Sequence, residues 1–464
     1  MQNTEQFEYV FLGGGKGGKS LATELAKAGK RVAVIERGMI GGSCINVACI
    51  PTKALVRSAR VAQTVRHAGS FGIEAGEPRV NMKNVHARVK GVVDGLVDVN
   101  LASFKGAGFD LLLGNGRFVA PRRIEVMVND GGVRVIEGER VYINTGTHAA
   151  VPPVPGLREA NPLTHVEAIQ LDAIPSHLIV IGGGYIGLEM AQAFRALGAK
   201  VTLLQRESRV ALREDIDVSR AIADVLKEDG VDVRTDVEIV AVTGRSGEDV
   251  SVEISGGGSV RGSHILVATG RVPNTSDIGL DVAGVETNAR GFIIVDETLQ
   301  TSAANVFAIG EVAGTPMFTH ASFDDYRVLS SQLKGGSKTT RGRQIPYAMF
   351  IEPELSRIGL NETETAEKGI AVRTATLPMK AVPRARTNSD TRGLMKVLVA
   401  ADSDDILGFA MLGSEAGEIV SAVQIAMLGK LPYTVLRDAP LAHPTVAEGL
   451  NLLLAMVPER AGKA

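Results

Sequence analysis

The feature that most constrains this chain is a glycine turn that occurs twice with the same internal spacing. Gly13-Gly14-Gly15-Lys16-Gly17-Gly18 follows a strand pattern at residues 8–12, and Gly182-Gly183-Gly184-Tyr185-Ile186-Gly187 follows another at 178–181. Each turn leads into a helical pattern (20–28 and 188–197), a glycine stop (Gly29 and Gly198) and a second strand (31–35 and 200–204). Strand, tight turn, helix and strand in that order form a dinucleotide-binding unit. In each triplet the first glycine (Gly13, Gly182) permits the turn and the second (Gly15, Gly184) lets backbone approach a pyrophosphate. The third (Gly18, Gly187) lets helix and strand pack closely. The diphosphate is expected on the N–H groups at the helix N-terminus. Two copies imply two different dinucleotides, one per unit.

The copies differ where the second strand ends. Glu36 stands where a carboxylate accepts hydrogen bonds from a ribose, whereas the equivalent position holds Gln205, followed by Arg206. A neutral amide does not repel a 2′-phosphate, and an arginine can bind one bidentately, with Arg209 nearby in sequence. The second unit is therefore expected to prefer NADPH over NADH. The alternative is that Arg206 is a solvated surface charge.

At 464 residues the chain exceeds one ordinary core, so roughly two to four domains are expected. A formal net charge of −2 without a dense Lys/Arg block argues against nucleic acid and anionic membrane as partners. No stretch of about 18 apolar residues occurs, and residues 1–9 lack a basic or apolar run, so a cytoplasmic location is expected. Two cysteines cannot form a structural disulfide framework; a close pair in the cytosol is more often catalytic or metal-binding. The eight histidines (67, 86, 148, 165, 177, 264, 320 and 443) show no ligand spacing near a cysteine. No metal site is expected.

The cysteines lie in Gly41-Gly42-Ser43-Cys44-Ile45-Asn46-Val47-Ala48-Cys49-Ile50-Pro51-Thr52-Lys53. In a regular helix, residues five apart are separated by about 7.5 Å along the axis and face different ways. A disulfide needs Cα atoms within about 6.8 Å, so the segment must be distorted or leave the helix around Cys44. Gly41 and Gly42 make such irregularity cheap. Pro51 suits a first helical turn, which puts Cys49 near a helix N-terminus, where the dipole favours thiolate. A low-pKa thiol with a near neighbour is what dithiol–disulfide exchange needs. The alternative is two buried, unreactive cysteines.

This run resembles the active-site signature of the class I pyridine nucleotide–disulfide oxidoreductases, which include glutathione reductase, dihydrolipoamide dehydrogenase and mercuric reductase. The resemblance extends along the chain through both glycine turns, Ala268-Thr269-Gly270-Arg271, Ala308-Ile309-Gly310-Glu311 and His443-Pro444-Thr445 with Glu448. It implies an α/β fold with two Rossmann-like domains, for FAD and NAD(P), plus a C-terminal α+β dimerisation domain. The implied boundaries are 1–150 with 273–342 for FAD, 151–272 for NAD(P) and 343–464 for dimerisation. The last includes a strand at 395–399 and a helix at 415–427.

By the same resemblance, Cys49 is the flavin-facing thiol and Cys44 the interchange thiol. Ser43, Gly116, Thr145, Gly146 and Gly310 match the FAD site. Glu311 stands where the family usually has an Asp that holds the ribityl chain, and Ala48 replaces a usual Gly. Lys53 and Glu189 match a pair beside the flavin ring. Tyr185 and Gly270 match the nicotinamide side. His443 precedes proline and is biased out of the helical region; Pro444 is expected to start a helix, with Glu448 about a turn in, reaching back to orient the imidazole. A carboxylate–imidazole pair is a proton shuttle tuned near neutral pH. In the family this histidine comes from the partner subunit, so an obligate homodimer is implied.

Phe318-Thr319-His320, Asp324-Asp325-Tyr326-Arg327, Val382-Pro383-Arg384-Ala385-Arg386 and Leu431-Pro432-Tyr433 look most like the bacterial reactive-chlorine-resistance flavoprotein reductases, relatives of mercuric reductase. Against mercuric reduction stand a tail without a second cysteine pair and His443 where that enzyme has Tyr. Leu441, where a second His is usual, argues against dihydrolipoamide dehydrogenase. The acceptor is expected to be a disulfide, a metal ion or another small oxidised molecule. Two rival readings are a flavin-dependent NAD(P)H oxidase or quinone reductase that does not use the cysteines, and a flavin-binding redox sensor.

Overall fold

The computed structural model describes residues 4–460; the first three residues and the last four of the C-terminal tail, on which the leader and tail readings partly rest, lie outside it. The chain forms two compact units. The first gathers the chain through Ala54 with Ala87–Ala150 and Arg271–Arg343. At its centre the strands Asp110–Ala120, Val32–Glu36, Thr4–Leu12, Val133–Ile143 and Val306–Ala308 lie side by side in that order, all parallel. Val32–Glu36 is buried at every position. A parallel strand covered on both faces must read as a continuous apolar run, as this one does. The far part of Asp110–Ala120 and the near part of Val133–Ile143 instead pair antiparallel with Arg123–Val128. Val10, Leu12, Ile35, Ile124 and Val141 fill one face of this sheet, and Phe11, Leu21, Val34, Phe104 and Tyr142 fill the other. The rings of Phe11 and Tyr142 stack 4.7 Å apart. Helices Lys16–Lys27 and Thr319–Leu333 are joined where Glu24 accepts from Tyr326 and Ser330.

The second unit comprises Leu55–His86, Val151–Gly270 and the chain from Gln344 onward. It holds a parallel sheet in the order His264–Val267, His177–Ile181, Lys200–Leu204 and Asp232–Arg234. An antiparallel ribbon, Ile239–Gly244, Val250–Ile254 and Ser259–Gly262, shares its core through Ile179, Val242, Val252 and Ile265. A five-stranded antiparallel sheet runs Tyr347–Met349, Glu354–Gly359, Ile406–Gly413, Leu394–Ala400, Val372–Pro378. Helices Ala416–Leu428 and Gly449–Ala455 pack on it through Val420, Val423, Leu450 and Leu453. The parallel sheets and the antiparallel C-terminal sheet with its helices make this a mixed α/β chain with an α+β C-terminal part. No helix among the described residues is long and apolar enough to cross a membrane.

Candidate active site

Both glycine turns are tighter than their sequence patterns suggest: the helices start at Lys16 and Tyr185, with Gly15 and Gly184 as N-caps. The turn glycines thus enter the helix, several residues before the patterns at 20 and 188. In the first turn Gly13 has φ +104, and a Cβ there would stand 2.4 Å from the Asn144 carbonyl oxygen. Asn144 also presses on Gly15 and Gly18, whose Cβ positions lie 2.7 Å from its Oδ1. It accepts from the Gly18 N–H at 3.1 Å and donates to the Ile309 carbonyl at 2.9 Å. Gly15 is therefore demanded by a protein side chain as well as by any ligand. Glu36 is engaged by the protein itself: its Oε2 accepts from the Gly14 N–H, and its Oε1 from Gly38 and Met39.

The second turn repeats this design in the other unit. Gly182 has φ +104 and backs onto the Ala268 carbonyl, and Gly187 backs onto the Gly182 carbonyl. Gln205 Oε1 takes the Gly183 N–H at 2.6 Å, the place Glu36 fills in the first copy. Gly184 is different. It has an ordinary φ of −82, and a Cβ there would meet nothing within 4 Å. Among the described residues nothing would stand against a side chain at 184, so the open space there fits a group that is not protein, as a pyrophosphate cradle does. Neither helix has a side-chain cap or an acid in its first turn, which leaves dipole and N–H groups for anions.

Around the second turn, Arg206 is 76% exposed and its guanidinium is taken by Glu207, at 3.0 Å from Nε and 2.6 Å from the terminal nitrogen. Glu207 also accepts from the Gln205 amide at 2.7 Å. Arg209 is occupied by the carbonyls of Glu214 and Leu212. The Tyr185 hydroxyl donates to Glu214 at 2.7 Å; burial and that carboxylate push the phenol pKa up. Gly270, at φ +131, ends the strand-to-loop passage of this unit.

The cysteine segment is broken as the five-residue spacing demands. Ser43–Asn46 is one turn of helix; Val47, at φ −141, interrupts it; Cys49–Arg66 is the long helix. The Ser43 carbonyl accepts from both Val47 and Ala48, closing the break. Cys49 is the first residue of the long helix, with Pro51 inside its first turn. The two thiols are within hydrogen-bonding reach of each other. The Cys44 thiol's hydrogen bond, the Thr319 hydroxyl 3.3 Å from Sγ and the Lys53 charge together outweigh burial and bring Cys49 down to about 6. The same pairing and burial push Cys44 well above the ordinary thiol range. The surroundings thus favour the anionic form at Cys49 and the neutral thiol at Cys44. Sequence patterns place Thr319 only in a branch motif; its contact with Cys49 bridges 270 positions.

The other expected FAD residues sit in the first unit. Gly116 faces the core, where a Cβ would meet Leu12, Ile35 and Ile124. Thr145 and Gly146 are locked to Asn274: the Thr145 hydroxyl donates to its carbonyl at 2.8 Å, and Gly146 accepts its N–H at 2.9 Å. The Gly310 N–H donates to Asp325, a fully buried carboxylate also held by Thr315 and Arg343. Burial pushes the Asp325 carboxyl up, against the pull of Arg343. Glu311 takes the Thr147 hydroxyl and lies 3.2 Å from Arg271 Nε. The longer side chain at 311 is thus engaged by its own unit.

In the second unit Glu189, on helix Tyr185–Leu197, accepts the Phe350 N–H at 2.8 Å. His443 Nδ1 lies 2.8 Å from Glu448 Oε2, with the imidazole 72% exposed and the carboxylate 12%. The expected helix start at Pro444 does not occur: the helix begins at Gly449, with Glu448 as its N-cap. Thr445 accounts for the delay, because its hydroxyl accepts the Glu448 N–H and donates to the Ala442 carbonyl, holding a turn in place of a helix. One carboxylate cluster among the described residues, Asp215, Asp217 and Glu362, converges as metal ligands do. Lys396 Nζ lies 3.2, 2.8 and 2.7 Å from them and occupies that centre.

A family model described as pyridine nucleotide-disulphide oxidoreductase matches residues 7–325, and the corresponding dimerisation domain matches residues 345–453. The chain is 37% identical over 460 residues to the probable pyridine nucleotide-disulfide oxidoreductase RclA of Escherichia coli (strain K12), covering 97% of this chain and 99% of that one. It is 35% identical over 454 residues to the mercuric reductase of Streptomyces lividans, covering 96% and 95%. Among solved structures, the Cu(II) complex of the HOCl-induced flavoprotein disulfide reductase RclA from Escherichia coli matches with a TM-score of 0.90. Its identity is 35%, and the match covers 98% of this chain and 100% of that one.

Proposed function

Because this chain belongs to the pyridine nucleotide-disulphide oxidoreductases, FAD-containing flavoenzymes, we propose that it passes two electrons from NADPH to the Cys44/Cys49 pair and on to a small oxidised acceptor. The observation that carries this reading is the placement of Cys49 as first residue of the long helix, with the Thr319 hydroxyl 3.3 Å from its sulfur and Cys44 on the separate helical turn just before the break. The first glycine turn, Glu36, Ser43, Gly116, Thr145, Gly146, Gly310 and Glu311 would hold FAD, in a domain of residues 1–150 and 273–342. The second turn, Tyr185, Arg206 and Gly270 would hold the nicotinamide cofactor in 151–272. Residues 343–464 would form the dimer interface, consistent with the matched dimerisation domain. When bound, FAD would supply a two-electron relay between the nicotinamide and the disulfide, and Lys53 and Glu189 are assigned to its site by family resemblance.

For a disulfide acceptor the balance is RSSR′ + NADPH + H⁺ → RSH + R′SH + NADP⁺. Two electrons and one proton convert the Cys44–Cys49 disulfide into a Cys44 thiol and a Cys49 thiolate. Cys44, deprotonated, attacks one acceptor sulfur and expels the first thiolate. Cys49 then attacks Cys44, re-forming the internal disulfide and expelling the second. The partner subunit's His443 takes the Cys44 proton and returns it to a leaving thiolate, oriented by Glu448. An exposed imidazole with an inward-facing carboxylate suits a residue that works on a neighbouring chain. The Cu(II) complex of RclA makes metal ions part of the acceptor range to be assayed.

Gln205 and Arg206 support NADPH over NADH, while Glu207 opposes it by occupying the guanidinium a 2′-phosphate would need. The test of the whole reading is anaerobic NADPH titration of the parent, Cys44→Ser and Cys49→Ser, followed by turnover on disulfides, quinones, metal ions and oxygen. The long-wavelength absorbance of a thiolate against flavin is expected in the parent and Cys44→Ser and is lost in Cys49→Ser. Acceptor turnover that survives both substitutions would instead mark an oxidase or quinone reductase.

A further inference from the structure

Cys44 lies on a single helical turn that the chain enters through Gly41 and Gly42. Gly41 and Gly42 lie at φ +88 and +87, and side-chain donors hold the carbonyls of this entry. Asn46 serves two, donating to the Ile40 and Gly42 carbonyls at 2.9 Å each. The third, at Gly41, accepts from Lys19 Nζ at 3.2 Å. That ammonium also donates to Asn100 Oδ1 at 2.5 Å, and Asn100 is fixed in turn by the Leu96 carbonyl at 2.7 Å. A Cβ on Gly41 would stand 3.1 Å from Asn100 Cγ, so the turn and the helix Met82–Ala107 meet without a spacer.

Lys19 is only 8% exposed, and both of these acceptors are neutral. Burying an ammonium on neutral partners is costly. Burial and the charge of Lys16 pull Lys19 down to about 8, and the one group acting the other way is Cys44. The charged or titratable groups that act on Lys19 are Lys16 on its own helix and Cys44, three residues beyond the Gly41 carbonyl that Lys19 holds, while Asn100 on Met82–Ala107 is uncharged. A buried cation whose only favourable charge is a thiol in its anionic form stabilises that anion when it appears.

We propose that Lys19 is a positioning residue for Cys44: its ammonium anchors the turn from which this cysteine projects and supplies the positive charge under which it becomes a nucleophile. This deepens the functional reading above and rests on Cys44 being the thiol that exchanges with the acceptor. Asn46 provides anchorage without charge; Lys19 provides both. Replacing Lys19 therefore alters the reactivity of Cys44 as well as its placement.

The experiment uses the flavin-loaded, reduced Cys49→Ser protein, in which Cys44 is the sole thiol. The alkylation rate of Cys44 by iodoacetamide is followed against pH by peptide mass spectrometry, alone and with Lys19→Met or Lys19→Arg. Lys19→Met is expected to move the midpoint upward and slow alkylation at neutral pH roughly tenfold, about one pH unit. Lys19→Arg, which keeps a charge, is expected to recover most of the rate. Superimposable profiles for the parent and Lys19→Met overturn the proposal. If Lys19→Met does not fold, Asn100→Asp decides: it sets a carboxylate against Lys19 and should raise the Cys44 midpoint, and an unchanged midpoint overturns the proposal. A Cys44 inert at every pH in the parent sinks its assignment as the exchanging thiol, a separate failure.

Discussion

Thr319→Val removes one hydroxyl and leaves the side-chain shape. That hydroxyl lies 3.3 Å from Cys49 Sγ, and it is one of the groups that bring this thiol down to about 6. A hydrogen bond to a charged group contributes about 1.5–3 kcal/mol. Sulfur is a soft acceptor, so the lower end applies, and about 1.4 kcal/mol corresponds to about one pH unit. The sign follows from which form the bond stabilises. The hydroxyl donates to the thiolate, so its loss favours the thiol and moves the midpoint upward. At pH 7 the thiolate fraction should fall from about nine-tenths to about one half. The difference vanishes well above the new midpoint, where both proteins are fully ionised. The assay is the rate of alkylation of the Cys49 peptide in the reduced protein across pH. A midpoint that does not move refutes the reasoning, because Cys44 and Lys53 alone would then account for the depressed pKa.

Three further outcomes can be checked. Lys396→Met leaves Asp215, 3% exposed, without its cation, and should lower stability by about 3–5 kcal/mol in denaturant unfolding; Asp217 and Glu362 are nearly half in water and add little. Adding Asp215→Asn to that variant should recover part of the loss, and full stability in the single variant would contradict the burial argument. Glu448→Gln should slow disulfide turnover about tenfold, a fraction of what general acid–base catalysis supplies, while anaerobic reduction by NADPH keeps its rate; slowing of both half-reactions would place Glu448 elsewhere in the chemistry. Glu207→Gln should raise the ratio of kcat/KM for NADPH over NADH a few-fold, since it releases an exposed guanidinium from a weak surface ion pair; a ratio that falls would mean Glu207 aids NADPH.

What can be read from the chain alone depends on how far apart the interacting residues lie. The glycine turns are local: Gly13 and Gly182 need φ of +104 within their own loop, so the pattern announces them. The break between Cys44 and Cys49 is also local, since helix geometry forbids the closure at that spacing. Asn144 is silent in sequence because its work is done on Gly18, 126 positions away, and on Ile309, 165 away. Lys19 reads as an ordinary helix lysine until the fold buries it beneath Gly41. Asp325 belongs to a motif, yet its role as acceptor for Gly310 and partner of Arg343 is a tertiary fact. At Pro444 local reasoning gives the wrong start, since Thr445 satisfies the donor that a helix would have used.

The interruption at Val47 has a mechanical side. Cys44 rides on a one-turn segment hinged by two glycines, whereas Cys49 is set at the rim of an eighteen-residue helix. Opening and closing the proposed Cys44–Cys49 bridge would call for torsion about a few bonds in the light segment, with the heavy one standing still.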